Sequence, residues 1–436
     1  MELELALAQH QSDRASKTLA PSLSWLERTG LRALEKAVSH WPKEGIALEL
    51  PDGTRRILGD AHGGVRHGMR IRDGRFFRRI VLRADLGFGE SFTAGEWDSP
   101  DLTALLEAFV RQGAREDNFW SRRLRALDWL RHRMNANTLS GSERNIQAHY
   151  DLGNDFYKEW LGPTMQYSAG IYPNPEATLE EAQDLKLRTL IAKLQVKPGM
   201  RVLEIGSGWG ELAVRLVRDH GCHVTTVTLS RQQHAWVRDR ATKLGIDDRL
   251  DARLQDYREV TGTFDRIVSV EMIEAVGHEN LPVYFAKVDA LLAAGGHAVI
   301  QAITVPDQTY SRYLRRTDWI QAHIFPGAVC PSISALQSAM AKGSRLVLRQ
   351  LEDIGPHYAK DLANWRERFL SAWPRLQTLG FDERFKRLWT YYLSYCEAGF
   401  SQRKLGDVQL ILSRACETGL DSTPQTSASV AFGGRS

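Results

Sequence analysis

Val202-Leu203-Glu204-Ile205-Gly206-Ser207-Gly208-Trp209-Gly210 joins an apolar run to an acidic residue and three alternating glycines. The run reads as a buried strand, the glycines as a tight turn, and the pattern that follows as the start of a helix. Glycine has no Cβ, so backbone can approach a ligand closely there, and a helix start offers free N–H groups. The spacing is G-x-G-x-G, not the G-x-G-x-x-G of dinucleotide binders.

Outward from this turn, apolar runs alternate with helical stretches. The runs are Arg201–Ile205, Cys222–Thr228, Leu250–Leu254, Phe264–Val270, His297–Ile303, Leu346–Leu351 and Val408–Ser413. Seven strands with intervening helices predict a doubly wound α/β domain over residues 146–416. The segment Ile354–Phe400 is aromatic-rich and helical, and is expected to cap a pocket. Residues 417–436 are rich in Ser, Thr and Gly and are expected to be disordered.

Upstream, residues 1–112 read as a smaller α+β domain. Ile46–Leu50, Pro51-Asp52-Gly53 and Thr54–Leu58 predict a hairpin. Met69–Arg72, Asp73-Gly74 and Phe76–Leu82 repeat the pattern and predict a second one. Ser99-Pro100-Asp101 before Leu102–Phe109 predicts a capped helix. Residues 113–145 form a linker. Within it Trp120, Leu124, Leu127, Leu130 and Met134 recur at helical spacing, among Arg122, Arg123, Arg125, Arg131 and Arg133. Such a basic amphipathic helix suits an anionic membrane surface, and equally a bridge between domains. Asn135 to Asn145 reads as a loop.

The chain has 436 residues, 43% hydrophobic and 25% charged, with a formal net charge of +4. That is ordinary for a globular protein of two or three domains, and the excess is too mild to imply nucleic acid. Cys222, Cys330, Cys396 and Cys416 are scattered without a C-x-x-C pair. They read as reduced cysteines of a cytoplasmic protein, and no metal site is expected. The first residues lack a signal-peptide layout, and no run of about 18 apolar residues occurs.

In an open parallel sheet, ligands bind beyond the C-terminal strand ends, at the point where strand order reverses. Three stretches meet there: the glycine turn with Glu204, Gly206, Gly208 and Gly210; Thr228-Leu229-Ser230-Arg231-Gln232-Gln233; and Gln255-Asp256-Tyr257-Arg258. The second strand end carries no acid for ribose hydroxyls, so Gln233 is the candidate for that work. Asp256 can accept from an adenine amino group, and Tyr257 can cover the ring. The set fits a nucleoside amino acid such as S-adenosylmethionine.

With these pieces placed, the chain resembles the cyclopropane-fatty-acyl-phospholipid and mycolic acid cyclopropane synthases. The matching segments run in order over about residues 146–415. They begin with His149-Tyr150-Asp151-Leu152-Gly153-Asn154-Asp155-Phe156-Tyr157 and Met165-Gln166-Tyr167-Ser168. The Glu-Ile-Gly-Ser-Gly-Trp-Gly turn, Thr228-Leu229-Ser230, Gln255-Asp256-Tyr257-Arg258 and Glu274-Ala275-Val276-Gly277 follow. Ile324-Phe325-Pro326-Gly327, Pro356-His357-Tyr358-Ala359-Lys360 and Tyr391-Tyr392-Leu393 complete the series. The resemblance implies a Rossmann-like methyltransferase fold with an antiparallel last strand. It implies cofactor contacts at Tyr167, Ser168, the glycine turn, Thr228, Leu229, Gln233, Asp256 and Tyr257. The N-terminal region has the length and position of the lipid-binding domain of the bacterial phospholipid enzymes.

The activity so implied is transfer of a methylene or methyl group from S-adenosylmethionine to the cis double bond of an unsaturated phospholipid acyl chain. A carbocation forms, a base removes a proton, and a cyclopropane ring closes. Water must be excluded, and aromatic faces stabilise the cation by roughly 0.5–2 kcal/mol each. Tyr310, Tyr313, Phe325, Tyr358, Trp365 and Phe369 are available, though plain packing accounts for most. The resemblance further implies a bicarbonate ion as base, held by Cys, Glu, His and Tyr side chains and backbone N–H groups. Glu274 and Tyr358 match two of these positions. Ala169 stands for the Cys and Gln301 for the His, while the Ile303 N–H remains. Glu274 itself, His278, His323 and His357 are the other candidate bases.

A weakened base leaves methylene- or methyl-branched products open. Two further readings are a methyltransferase for a small soluble metabolite and a non-catalytic lipid-binding protein. The expected setting is the cytoplasm, peripherally at the inner face of the membrane. Whether the chain forms a homodimer is left open.

Overall fold

The computed structural model describes residues 23–42, 44–60, 64–113 and 152–416. The chain divides into two compact units, one up to Leu105 and one from Leu106. The proposed linker helix and the terminal tail lie outside the described residues.

In the first unit, strand β1 (Gly45–Glu49) pairs antiparallel with β2 (Arg55–Gly59). Between them Asp52 accepts the Thr54 N–H at 2.8 Å and Gly53 takes φ +83°, as the Asp-Gly turn predicts. Strand β3 (Val65–Ile71) runs parallel to β1, and the short β4 (Trp97–Asp98) pairs with β3. Helix α1 (Trp25–Val38) begins with a capping box between Ser24 and Glu27.

The second predicted hairpin is absent. Phe76–Leu82 belongs to helix α2 (Arg75–Thr93). Phe76, Phe77 and Ile80 are buried, and an i, i+1, i+4 pattern faces one side of a helix, not of a strand. Asp73, read as a turn residue, instead accepts the Arg75 N–H at the helix start. Helix α3 (Leu102–Gly113) follows its predicted cap, with Asp101 accepting the Ala104 N–H at 2.9 Å. The division between the two units falls inside α3.

The second unit carries all seven predicted strands: β5 (Arg201–Ile205), β6 (His223–Thr228), β7 (Leu250–Leu254), β8 (Phe264–Val270), β9 (Leu292–Thr304), β10 (Leu346–Asp353) and β11 (Gly406–Arg414). They form one sheet in the order β10-β11-β9-β8-β5-β6-β7. Only β11 is antiparallel to its neighbours. The unbroken apolar strands follow from helices covering both faces. Leu203, Ile205, Ile267, Ala298 and Ile300 pack on one side with α8 (Leu281–Leu291). Val202, Val268 and Val299 pack on the other with α5 (Leu179–Leu194) and α6 (Glu211–Arg218). Before them comes α4 (Asn154–Leu161), and α7 (Arg231–Leu244) follows β6. Strand order reverses between β5 and β8, which places a crevice at their C-terminal ends.

The remaining helices are α9 (Asp307–Tyr313), α10 (Trp319–His323), α11 (Ile333–Gly343), α12 (Gly355–Ser371), α13 (Trp373–Thr378) and α14 (Glu383–Ser401). The predicted helical segment Ile354–Phe400 is thus α12 to α14. No described helix is long and apolar enough to cross a membrane. Among the described residues no cluster of His, Cys, Asp and Glu could hold a metal ion.

Candidate active site

The glycine turn leaves β5 with three left-handed residues: φ is +96° at Gly206, +47° at Gly208 and +81° at Gly210. The N–H groups of Gly206 and Ser207 both donate to Val227 O, at 3.0 and 3.1 Å, which locks the turn to β6. The glycines do different work. A Cβ on Gly208 would meet only open space, so backbone is bare towards the cleft. A Cβ on Gly210 would lie 2.9 Å from the Val237 side chain, so this glycine lets α6 begin against α7. Trp209 donates from its indole to Asn154 at 2.8 Å, tying α4 to the turn.

Tyr167, Ser168, Glu204, Gly206, Gly208, Thr228, Leu229, Gln233, Asp256 and Tyr257 line a single cleft. Of the predicted cofactor residues, Gly210 alone is not on its wall. Thr228 donates to Gln233 Oε1 at 2.9 Å and fixes that amide. Asp256 is gripped by Arg258 through two contacts of 2.9 and 2.7 Å. Tyr257 is buried edge-on against Tyr284, and burial pushes its hydroxyl up to about 12. Burial likewise holds the Glu204 carboxyl at about 8; it accepts from the Thr226 hydroxyl at 2.5 Å. Ser168 accepts from the buried ammonium of Lys186 at 2.7 Å, which burial brings down to about 8.

Tyr167 joins the cleft to an aromatic cluster. Its ring centroid lies 5.5 Å from that of Trp160, 5.4 Å from Trp365 and 6.4 Å from Phe325. Tyr358 extends the cluster, 5.9 Å from Trp365. The other aromatic candidates have other neighbours, Phe369 one ring further out from Trp160. Phe369 packs with Phe156, Trp373 and Trp389. Tyr310 binds His278 at 2.8 Å, and Tyr313 faces the Cys330 N–H. His357 accepts from the Tyr172 N–H at 3.3 Å, and its pKa is lowered by burial, so it is a structural acceptor.

Two of the four residues proposed around the base, Gln301 and Tyr358, converge on a fifth that the sequence did not single out. Glu271 follows β8 directly, lines the cleft, and sits at φ +47°. Its Oε1 accepts from the Ala169 N–H and from Gln301 Nε2, both at 2.8 Å. Its Oε2 accepts from the Tyr358 hydroxyl at 2.7 Å. Gln301 also reaches Asp407 at 3.0 Å and accepts from Gln409. Beside this group, Glu274 accepts the Ile303 N–H at 2.5 Å. Burial, with Glu271 nearby, keeps Glu274 protonated up to about 8. Asp407 is pushed well above the carboxylate range by burial and by Glu271. The signal for Glu271 was present: an acid at a strand's C-terminal end, the same criterion that selected Asp256.

A family model described as mycolic acid cyclopropane synthetase matches residues 138–410. The chain belongs to this family. It is 38% identical over 397 residues to the tuberculostearic acid methyltransferase UfaA1 of Mycobacterium tuberculosis, covering 88% of this chain and 90% of that one. It is 35% identical over 371 residues to the cyclopropane-fatty-acyl-phospholipid synthase of Escherichia coli, covering 82% and 91%. Among solved structures it resembles the cyclopropane synthase MmaA2 of M. tuberculosis, with a TM-score of 0.58 at 30% identity. That match spans 62% of this chain and 98% of the other. The mycolic acid cyclopropane synthase CmaA1, solved with SAH and CTAB, gives the same score and identity, spanning 62% and 97%. The protein is therefore an S-adenosylmethionine-dependent methyltransferase of the cyclopropane synthase type. Its seven-stranded sheet is the class I methyltransferase fold.

Proposed function

We propose that this methyltransferase alkylates the cis double bond of unsaturated phospholipid acyl chains and closes a cyclopropane ring. The observation that carries this is the shared position of Tyr167, one edge in the cofactor cleft and the other in the aromatic cluster of Trp160, Trp365 and Phe325. S-adenosylmethionine, when bound, supplies a methyl group made electrophilic by a positive sulfur. Gly206 and Gly208 leave backbone open to it, Gln233 and Asp256 offer polar contacts for its nucleoside, and Tyr257 supplies an aromatic wall. The aromatic cluster keeps water away from a greasy chain and faces a cation with electron-rich rings, each contributing about 0.5–2 kcal/mol.

The relative in E. coli is named for cyclopropane fatty acyl phospholipids, which supports the ring product. A second reading is a methyl-branched or methylene product. It is favoured by Ala169 and Gln301, which replace the Cys and His types that the resemblance leads one to expect. The relative named as a tuberculostearic acid methyltransferase points the same way. The N-terminal unit and the arginine-rich segment 113–145 are proposed to engage the membrane surface, peripherally and on its cytoplasmic side.

The test incubates purified protein with S-adenosylmethionine and vesicles of cis-unsaturated phospholipid. The expected result is a gain of about 14 mass units per modified chain, the mass of one CH2 group, with NMR separating ring from branch. No gain on any unsaturated phospholipid rejects the proposal. Methylation of a small metabolite without vesicle binding would favour a soluble substrate instead.

A further inference from the structure

The bicarbonate ion implied by the resemblance does not fit this site, because a side chain already takes its hydrogen bonds. The Ala169 N–H, the Gln301 amide and the Tyr358 hydroxyl all donate to Glu271. The Ile303 N–H donates to Glu274. A further anion would have to sit beside the Glu271 carboxylate, where burial, together with that charge, already keeps Glu274 and Asp407 protonated.

From this geometry we infer that Glu271 is the proton acceptor of the reaction, an internal carboxylate in place of a bound ion. The inference rests on the alkene alkylation proposed above. Three observations place Glu271 in that role. It lines the cleft shared with the glycine turn, whereas Glu274, Gln301, Ile303 and Tyr358 are not on that wall. Three donors hold its carboxylate from two sides, which fixes where its oxygens point. Its φ of +47° is a region that side chains other than glycine rarely adopt, so the surroundings enforce a conformation that local preference opposes.

In the reacting step, the alkene π pair forms a bond to the transferred carbon and leaves a cation on the neighbouring chain carbon. A Glu271 oxygen takes one proton from the new methyl group. The freed C–H pair closes the third ring bond and quenches the cation. After a hydride shift along the chain, the same oxygen can take a proton to give a methylene branch. In both cases the proton ends on the Glu271 carboxyl. Tyr358, Gln301 and Ala169 are positioning residues that act through it.

The test compares wild type with Glu271→Gln and Glu271→Gly, in carbon-dioxide-free buffer and with added bicarbonate. Turnover on unsaturated phospholipid vesicles, cofactor binding by calorimetry, and binding of 13C-bicarbonate by NMR are measured. Glycine suits the left-handed backbone, so Glu271→Gly should fold and report on the emptied nest. Expected are wild-type turnover indifferent to bicarbonate and a loss of about a hundredfold or more in Glu271→Gln, with cofactor binding retained. Labelled bicarbonate should bind Glu271→Gly and not wild type. Bicarbonate-stimulated wild-type turnover, tight bicarbonate binding by wild type, or near-normal turnover in Glu271→Gln would overturn the inference. If wild type alkylates no lipid at all, the alkylation reading fails, and the bicarbonate-binding comparison still judges who occupies the nest.

Discussion

The hydroxyls of Tyr167 and Tyr392 meet at 2.8 Å, joining the cleft at the glycine turn to α14 far along the chain. Tyr167 follows Met165, which sits at φ +52°, so its loop has no regular ladder to hold it. The bond to Tyr392 is part of what sets the ring's position. Tyr392→Phe keeps the ring and removes the bond, a net cost of about 1 kcal/mol. Calorimetry should then find S-adenosylmethionine bound about fivefold more weakly. An unchanged affinity would mean that Trp160, Trp365 and Phe325 hold Tyr167 by packing alone.

Gly208 and Gly210 should separate binding from stability. Gly210→Ala places a methyl 2.9 Å from Val237 at φ +81°, so both clash and backbone strain act on the fold. Urea unfolding should show a loss of about 1–3 kcal/mol. Gly208→Ala meets no protein atom within 4 Å, at φ +47°. Its stability loss should be smaller, about 1 kcal/mol. Its methyl projects where a ligand must approach, so cofactor affinity should fall the more in this variant. The reverse ranking of stabilities would contradict the division of labour drawn for the turn.

The central strands β5, β8, β9 and β11 of the second unit were legible because they are largely buried and read as apolar runs between helical stretches, while the half-exposed edge strands β7 and β10 carried a weaker signal. Phe76–Leu82 misled for a related reason. A short run of large apolar residues after an Asp-Gly pair fits a strand equally well, and only packing against the rest of its unit makes it a helix. The cleft-lining residues Glu204, Thr228 and Asp256 were legible because strand ends converge by topology. Spacing does not separate Gly208, bare towards the cleft, from Gly210, pressed on Val237. Glu271 stands at a readable strand end, but its role was not legible, because its partners Ala169, Gln301 and Tyr358 are scattered over about half the chain and meet only in three dimensions.

The arginines of segment 113–145 give a prediction from sequence alone. Replacing Arg122, Arg123, Arg125, Arg131 and Arg133 by Gln removes five charges. Each contributes about 1 kcal/mol beside an anionic surface, so flotation with anionic vesicles should be lost or sharply weakened. Raising salt should weaken wild-type flotation in the same way, because the attraction is screened within about 10 Å at 0.1 M. Flotation insensitive to both changes would assign the segment to packing on protein.

Stability should fall as pH rises from mildly acidic to mildly alkaline. The Glu204 and Glu274 carboxyls, with an ordinary value of 4.5, are each held at about 8, chiefly by burial. A raised carboxylate pKa means that the folded chain binds more protons than the unfolded one between those values. Folding is then favoured at the acidic end of the window and loses free energy as pH climbs through it. Glu204→Gln removes one of the two titrations. Near pH 5 the variant should match wild type to within about 1 kcal/mol, the worth of the altered contact with the Thr226 hydroxyl. Near pH 8 it should be the more stable, by a few kcal/mol, because each tenfold change in proton affinity is worth about 1.4 kcal/mol. Lys186, brought down to about 8 by burial, works in the opposite sense, and its gain begins only above that pH. The comparison therefore belongs between about pH 5 and 8. Urea unfolding of both proteins across that range decides it: parallel curves would mean that Glu204 ionises in the folded chain as it does in water.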